Sequence, residues 1–179
     1  MILSDTSLIE NMTRLITEAL TSKKQIMKGL LGNIMWCCSN LARKKEGEMG
    51  LKTQQMQQVL YIVRTFMDCE EMVHSIHDAL WTLSYLVTDS TDEFMTQVCQ
   101  GKTTIQNLIT FMNSNINEEC TPAIRAIANI LTSNIPENID LFIFHGGLDA
   151  MNKVMNQNQQ QCLMKECLWG LSNITAGTE

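Results

Sequence analysis

The chain has 179 residues, 45% of them hydrophobic but only 6% aromatic, with 9 glycines, 2 prolines and a formal net charge of −6. So few turn residues argue against an all-β fold, and no run approaches the ~18 apolar residues of a membrane span. The seven cysteines are odd in number and no N-terminal stretch resembles a signal peptide, so the thiols read as reduced and the compartment as cytosolic or nuclear. The acidic balance argues against nucleic acid as a partner and allows a basic one.

In chain order, Leu8 to Leu20 reads as a helix, and a second apolar-periodic stretch runs through Trp36-Cys-Cys-Ser-Asn40. Asp92 to Val98 is predicted as a short helix closed by Gly101 in the C′ position. Thr104 to Asn113 follows as a second and Thr121 to Thr132 as a long third. Pro122 would sit just inside the start of that third helix, where its missing N–H matters least. The plan then recurs as Asn138 to Phe144, the pair Gly146-Gly147, Leu148 to Asn156 and Gln161 to Thr175. The Gln-rich stretches Gln54 to Gln58 and Gln157 to Gln161 read as solvated helix surface or loop.

The recurrence is regular. Trp36-Cys-Cys-Ser-Asn40, Trp81-Thr-Leu-Ser-Tyr85, Arg125-Ala-Ile-Ala-Asn129 and Trp169-Gly-Leu-Ser-Asn173 can be laid over one another, with first residues 45, 44 and 44 positions apart. A period of ~44 residues falls in the range of armadillo and HEAT arrays. The predicted fold is therefore all-α, a right-handed solenoid of about four repeats, at 1–46 (partial), 47–91, 92–136 and 137–179. The first unit lacks its short helix, the chain stops after a third helix at Thr178-Glu179, and neither end carries an obvious polar cap. That pattern is expected of a piece of a longer solenoid.

On a helical wheel each third helix has an apolar stripe and a polar arc. The predicted stripes are Leu30, Leu31, Ile34, Cys38 and Leu41; Ile76, Ala79, Leu80, Leu83 and Val87; and Leu163, Cys167, Leu171 and Ile174. Opposite them lie Trp36, Asn40, Arg43 and Asn33 in the first helix. In the second they are Trp81, Tyr85, Asp78 and His74, and in the last Trp169, Asn173 and Glu166. Arg125, Asn129 and Thr132 share one polar arc of the remaining helix. Core packing explains an isolated Trp, but not three in register on polar faces. In a right-handed solenoid the third helices line the concave surface, so the pattern predicts a groove for an extended chain. Paired indoles can sandwich the apolar stem of a Lys or Arg and attract its charged head. The Asn amides can hydrogen-bond a peptide main chain, and Asp78 and Glu166 can receive cationic ends.

These stretches resemble importin-α, the armadillo-repeat adaptor that carries proteins with basic nuclear localization signals into the nucleus. Matching segments are Trp36-Cys-Cys-Ser-Asn-Leu-Ala-Arg43, Asp78-Ala-Leu-Trp-Thr-Leu-Ser-Tyr-Leu86, Thr121-Pro-Ala-Ile-Arg-Ala-Ile-Ala-Asn-Ile130 and Lys165-Glu-Cys-Leu-Trp-Gly-Leu-Ser-Asn-Ile-Thr-Ala-Gly177. Tyr85 in place of Asn, and Arg125 in place of Trp, occur in that order in the middle of the family. The resemblance implies about the fourth to the seventh repeat of ten. Trp36, Asn40 and Arg43, with Asp78 and Trp81, would then close the major signal site. Trp169, Asn173 and Glu166, with Thr132 nearby, would open the minor site, and Tyr85, Arg125 and Asn129 would lie under a bipartite linker. It further implies cargo proteins with mono- or bipartite signals as partners, residence in cytoplasm and nucleus, and importin-β as a partner through an N-terminal segment for which nothing here matches. Two stretches depart from the family. Thr88-Asp89-Ser90-Thr91 stands where Asp-Gly-x-Asn is usual, and Ser133-Asn134-Ile135-Pro136 stands where a Gly and then an acid follow Thr132, with Glu137 a possible substitute.

Other constellations are weaker. His74, His77 and Asp78 share a helix side without a further ligand and read as a solvated face, and the Cys spacings fit no zinc pair, so no metal is expected. No nucleotide loop, nucleophile elbow or cofactor fingerprint is present, so no enzyme or cofactor is expected. Another armadillo scaffold of the catenin kind is the alternative. Such scaffolds usually present a basic groove, whereas this chain is acidic and carries Trp-x-x-x-Asn pairs.

Overall fold

The computed structural model describes residues 7–22, 28–44, 50–157 and 161–176. The predicted repeat boundary at 46/47, the end at Thr178-Glu179 and residues 158–160 of the second Gln-rich stretch lie outside them. Ten α-helices and one 3-10 helix are present among the described residues, in two compact units, Met1–Leu86 and Val87–Glu179.

The first unit holds α1 (Ser7–Ser22), α2 (Lys28–Ala42), α3 (Thr53–Met67), a 3-10 helix (Glu70–Ser75) and α4 (Ile76–Val87). α1 packs on α3, which also meets α2 and the 3-10 helix. α1 buries Ile9, Met12, Ile16 and Ala19, a stripe at helical spacing. α3 begins where the Gln55 side chain accepts a hydrogen bond from the Lys52 N–H at 2.9 Å. Gln55 is therefore buried as a capping group rather than solvated and departs from the surface reading of Gln54 to Gln58, whereas Gln54 and Gln57 are exposed on α3. The stripe of α2 also differs from expectation. Its buried residues are Leu31, Ile34, Met35, Cys38 and Ala42, whereas Leu30 is 42% exposed and Leu41 half-buried. Met35 draws the stripe's centre round the helix and leaves Leu30 about 100° away from it. α4 buries most of its circumference, including Thr82 and Ser84, whose hydroxyls donate to the carbonyls of Asp78 and Trp81. His74 belongs to the preceding 3-10 helix rather than to α4.

The second unit holds α5 (Asp92–Cys99), α6 (Thr104–Met112), α7 (Asn117–Ile130), α8 (Pro136–Phe144), α9 (Gly147–Gln157) and α10 (Gln161–Ala176). This is a three-helix plan stated twice. α7 packs against α6 and α10, α9 against α6, α8 and α10, and α5 against α6 and α8. α7 is the most enclosed of them, with Ala123, Ile124, Ala126, Ile127, Ala128 and Ile130 all buried. Its alanines let neighbouring helices approach, while burial of Ile124 or Ile127 contributes about 2–3 kcal/mol each. The equivalent positions 44 residues later, Leu168, Leu171 and Ile174, are exposed or half-buried.

α7 starts four residues earlier than predicted. Ser114 accepts from the Ile116 N–H and donates to Glu119, and this organises the turn ahead of Asn117. Pro122 therefore lies inside the helix, not at its start. The proline at a helix start is Pro136, the first residue of α8. Gly101 follows the C-cap Gln100 as read, whereas the left-handed glycine among the described residues is Gly146, with φ 80° between α8 and α9.

Cys38, Cys99, Cys120 and Cys167 are buried and serve as small hydrophobes in these cores. Burial pushes the Cys38 thiol up to about 12 and those of Cys120 and Cys167 to about 11, so all three are protonated at neutral pH. Gly147 is tightly enclosed. A Cβ there would run into the buried Phe142 ring, while a Cβ at Gly29 meets nothing within 4 Å. Gly147→Ala is accordingly expected to lower stability in chemical denaturation by about 1–3 kcal/mol. Gly29→Ala should leave it unchanged or raise it by up to about 1 kcal/mol. Equal stabilities for the two variants would contradict this packing.

Candidate functional site

The polar arcs of the long helices are where the candidate residues stand. On α2, Trp36 is 62% exposed because it lies more than a right angle from the buried stripe. Asn40 is one turn on, its amide donating to the Trp36 carbonyl at 3.0 Å, and Arg43 reaches the Asn40 side-chain oxygen at 3.4 Å. These three share one exposed patch. On α4 the predicted pair behaves differently. Trp81 and Tyr85 are half-buried and stacked on each other, with ring centroids 5.7 Å apart and planes 25° from parallel. Asp78 is half-buried beside exposed His77, whose Nε2 is 3.5 Å from its carboxylate.

The second unit presents α7 and α10 side by side. Trp169 on α10 is 42% exposed. One turn back, Glu166 accepts two hydrogen bonds from Arg125 of α7, through Nη2 at 2.6 Å and Nε at 3.1 Å, both on Oε1. Asn173 donates to the Ala128 carbonyl at 3.3 Å, and Asn129 to the Thr88 hydroxyl at 3.1 Å. Thr132 is exposed and donates to the Asn129 carbonyl at 2.7 Å. The structure thus brings Arg125, Glu166 and Trp169 into one neighbourhood. It also gives the Asn129 and Asn173 amides partners within the fold, which the reading of them as peptide-binding groups did not anticipate.

The two stretches that depart from the expected pattern are both structured. Asp89 adopts φ 52°, the left-handed conformation in which Gly is favoured and Asp tolerated. Thr91 then caps α5, its hydroxyl accepting from the Phe94 N–H. Downstream, Asp92 gathers the loop between α7 and α8. Its Oδ1 accepts from the Ser133 hydroxyl at 2.9 Å and the Asn134 N–H at 3.0 Å, and its Oδ2 from the Asn134 amide at 3.1 Å. Buried Asn138 donates to Ser133 and to Thr96. Ser133-Asn134 therefore acts as a clasp between α5 and the α7–α8 loop. Glu137, a possible acidic substitute, sits exposed in the first turn of α8. No group of three metal-ligating side chains converges among the described residues, and no described helix is long and apolar enough to cross a membrane.

No protein-family model matches the chain. It is 28% identical over 150 residues to importin subunit alpha-1a of Oryza sativa subsp. japonica, covering 84% of this chain and 27% of that one. It is 30% identical over 140 residues to importin subunit alpha-3 of Arabidopsis thaliana, covering 78% and 25%. The chain is a homologue of importin-α. It spans about a quarter of the length of these curated relatives. Among solved structures, a designed armadillo repeat protein in complex with the peptide (KR)4 matches with a TM-score of 0.70 at 20% identity, covering 94% of this chain and 66% of that one. An engineered protein matches with a TM-score of 0.72 at 17% identity, over 93% and 63%. These likenesses show an armadillo-type fold.

The clasp carries a pH dependence. Hydrogen bonds from Asn134 and Ser133 hold the Asp92 carboxyl below its ordinary value. Its stabilising contribution is full above the unfolded value near ~4 and is lost as the pH falls through the lower folded value. Asp92→Asn should therefore lower the melting temperature at pH 7 and narrow the gap to the unaltered chain as the pH drops from about 5 to 3. A gap independent of pH over that range would contradict the clasp.

Proposed function

We propose that the chain binds basic, extended peptide segments on the exposed Trp/Asn faces of its long helices, and that it acts as an importin-α-like adaptor for nuclear import. The observation that carries this reading is the exposure of Trp36 and Trp169 on polar helix faces, since burial would have removed the ligand-stacking surface. Trp36 with Asn40 and Arg43 on α2, and Asp78 with Trp81 and Tyr85 on α4, would serve one basic stretch. Trp169, Asn173 and Glu166 on α10, with Arg125, Asn129 and Thr132 on α7, would serve another. The designed armadillo protein solved with (KR)4 supports a basic ligand for this type of fold, and the importin-α homology supports localization signals as its source. Cargo proteins, importin-β as a partner of the longer protein, and residence in cytoplasm and nucleus belong to the same proposal.

The physical basis is stacking plus weak main-chain recognition. Each exposed indole offers the apolar stem of Lys or Arg a surface and its head a cation–π attraction of about 0.5–2 kcal/mol. Binding should be saturable, visible in Trp fluorescence, and weakened by salt because the charges are solvent-exposed. With a bipartite basic peptide at low salt, Trp36→Ala or Trp169→Ala should each weaken binding roughly fivefold to thirtyfold, in line with about 1–2 kcal/mol per indole. A chain that shows no binding at low salt, or variants that bind as well as the parent, would overturn the proposal.

A further inference from the structure

We propose that Arg125 is an internal competitor for the ligand's cation: it occupies the Glu166 carboxylate and sets the affinity of the α7–α10 face for basic peptides. This inference rests on the peptide-binding reading above. In the other three segments of the repeat the position of Arg125 holds Trp, so the substitution replaces a stacking surface with a fixed positive charge. That charge is committed. Its Nε and Nη2 both donate to Oε1 of Glu166, at 3.1 and 2.6 Å.

Glu166 precedes Trp169 by three residues on α10, so the two side chains share one side of the helix. A ligand cation stacked on Trp169 arrives beside a carboxylate that already has a partner. An ammonium or guanidinium group must then displace Arg125 to reach the carboxylate, and that displacement lowers the net gain. The pair is also separable from the fold. Its side chains are 42% and 20% exposed, and ion pairs with this much solvent contribute little to stability. On the α2 face Arg43 reaches the Asn40 amide oxygen, and among the described residues it pairs with no acid.

The experiment is a titration of the 179-residue chain with the peptide (KR)4 at low salt, read at the Trp169 indole N–H by NMR, which reports this face alone. Arg125→Met is expected to reach half-saturation at a roughly threefold to fivefold lower peptide concentration, the range open to a partly exposed ion pair. Adding Glu166→Gln to that variant should abolish the gain. If Arg125→Met binds equally or more weakly while the parent binds, the competition is overturned and peptide binding stands. If no form shifts the Trp169 resonance, both are overturned. The parent chain gives a second readout should the variant fail to fold. Saturating peptide should move the Arg125 Nε–H resonance, one of four arginines, to the position of a solvated guanidinium. A resonance that stays in place under saturation also overturns the proposal.

Discussion

Burial of one aliphatic stripe on each long helix is the constraint on which the rest of the structure depends. On α2 it takes in Leu31, Met35 and Cys38, and on α10 Leu163, Cys167 and Gly170. With 3.6 residues per turn, a side chain five or six positions from the first stripe residue must point well away from it. Trp36 and Trp169 are in that position, so their exposure follows from what their helices bury. α4 shows the converse. Its stripe is so wide that Trp81 and Tyr85 keep only a narrow outer arc and stack on each other.

Polar contacts in the second unit do a different job. Thr88–Asn129, Arg125–Glu166, Asn138–Thr96, Asp92–Ser133 and Ala128–Asn173 each join residues 41 to 45 apart, about one repeat. Arg125–Glu166 and Ala128–Asn173 join α7 to α10, where the alanines of α7 let the backbones come close, and Thr96–Asn138 joins α5 to α8. Arg125, Asn129, Glu166 and Asn173 among them also belong to the proposed peptide-binding set, so there structural and binding demands compete for the same side chains. Arg125 and Glu166 show this most plainly, since a carboxylate suited to a foreign cation is held by a native one.

Much of this was legible in the sequence. The stripe of α4 follows from hydrophobic spacing, and that of α10 only in part: Leu163 and Cys167 are buried as read, but Gly170 takes the place of the half-buried Leu171 and Ile174. The extents of α5, α6, α8 and α9 came within two residues, because Gly, Thr and Pro punctuate them. What escaped depended on contacts distant in the chain or on weak local signals. Leu30 looks like core until Met35 is included in the stripe. Pro122 suggests a helix start because prolines usually mark one, and the Ser114–Glu119 bond that actually starts α7 spans five residues rather than the three of a capping box. The Arg125–Glu166 pair needed only the observation that an Arg in a Trp position lies one repeat before an acid on a neighbouring helix. The clasp ties Asp92 of α5 to Ser133 and Asn134 in the α7–α8 loop, and no hydrophobic spacing announces it.

In the proposed function the exposed indoles are the ligand-contacting surface. The most direct test follows the three Trp indole N–H resonances of the chain while (KR)4 is added, with an acidic peptide of equal length as the control. Saturable shifts are expected at Trp36 and Trp169 with the basic peptide, diminishing as salt is raised, and none with the acidic one. Unmoved Trp36 and Trp169 resonances at saturating basic peptide and low salt would contradict it.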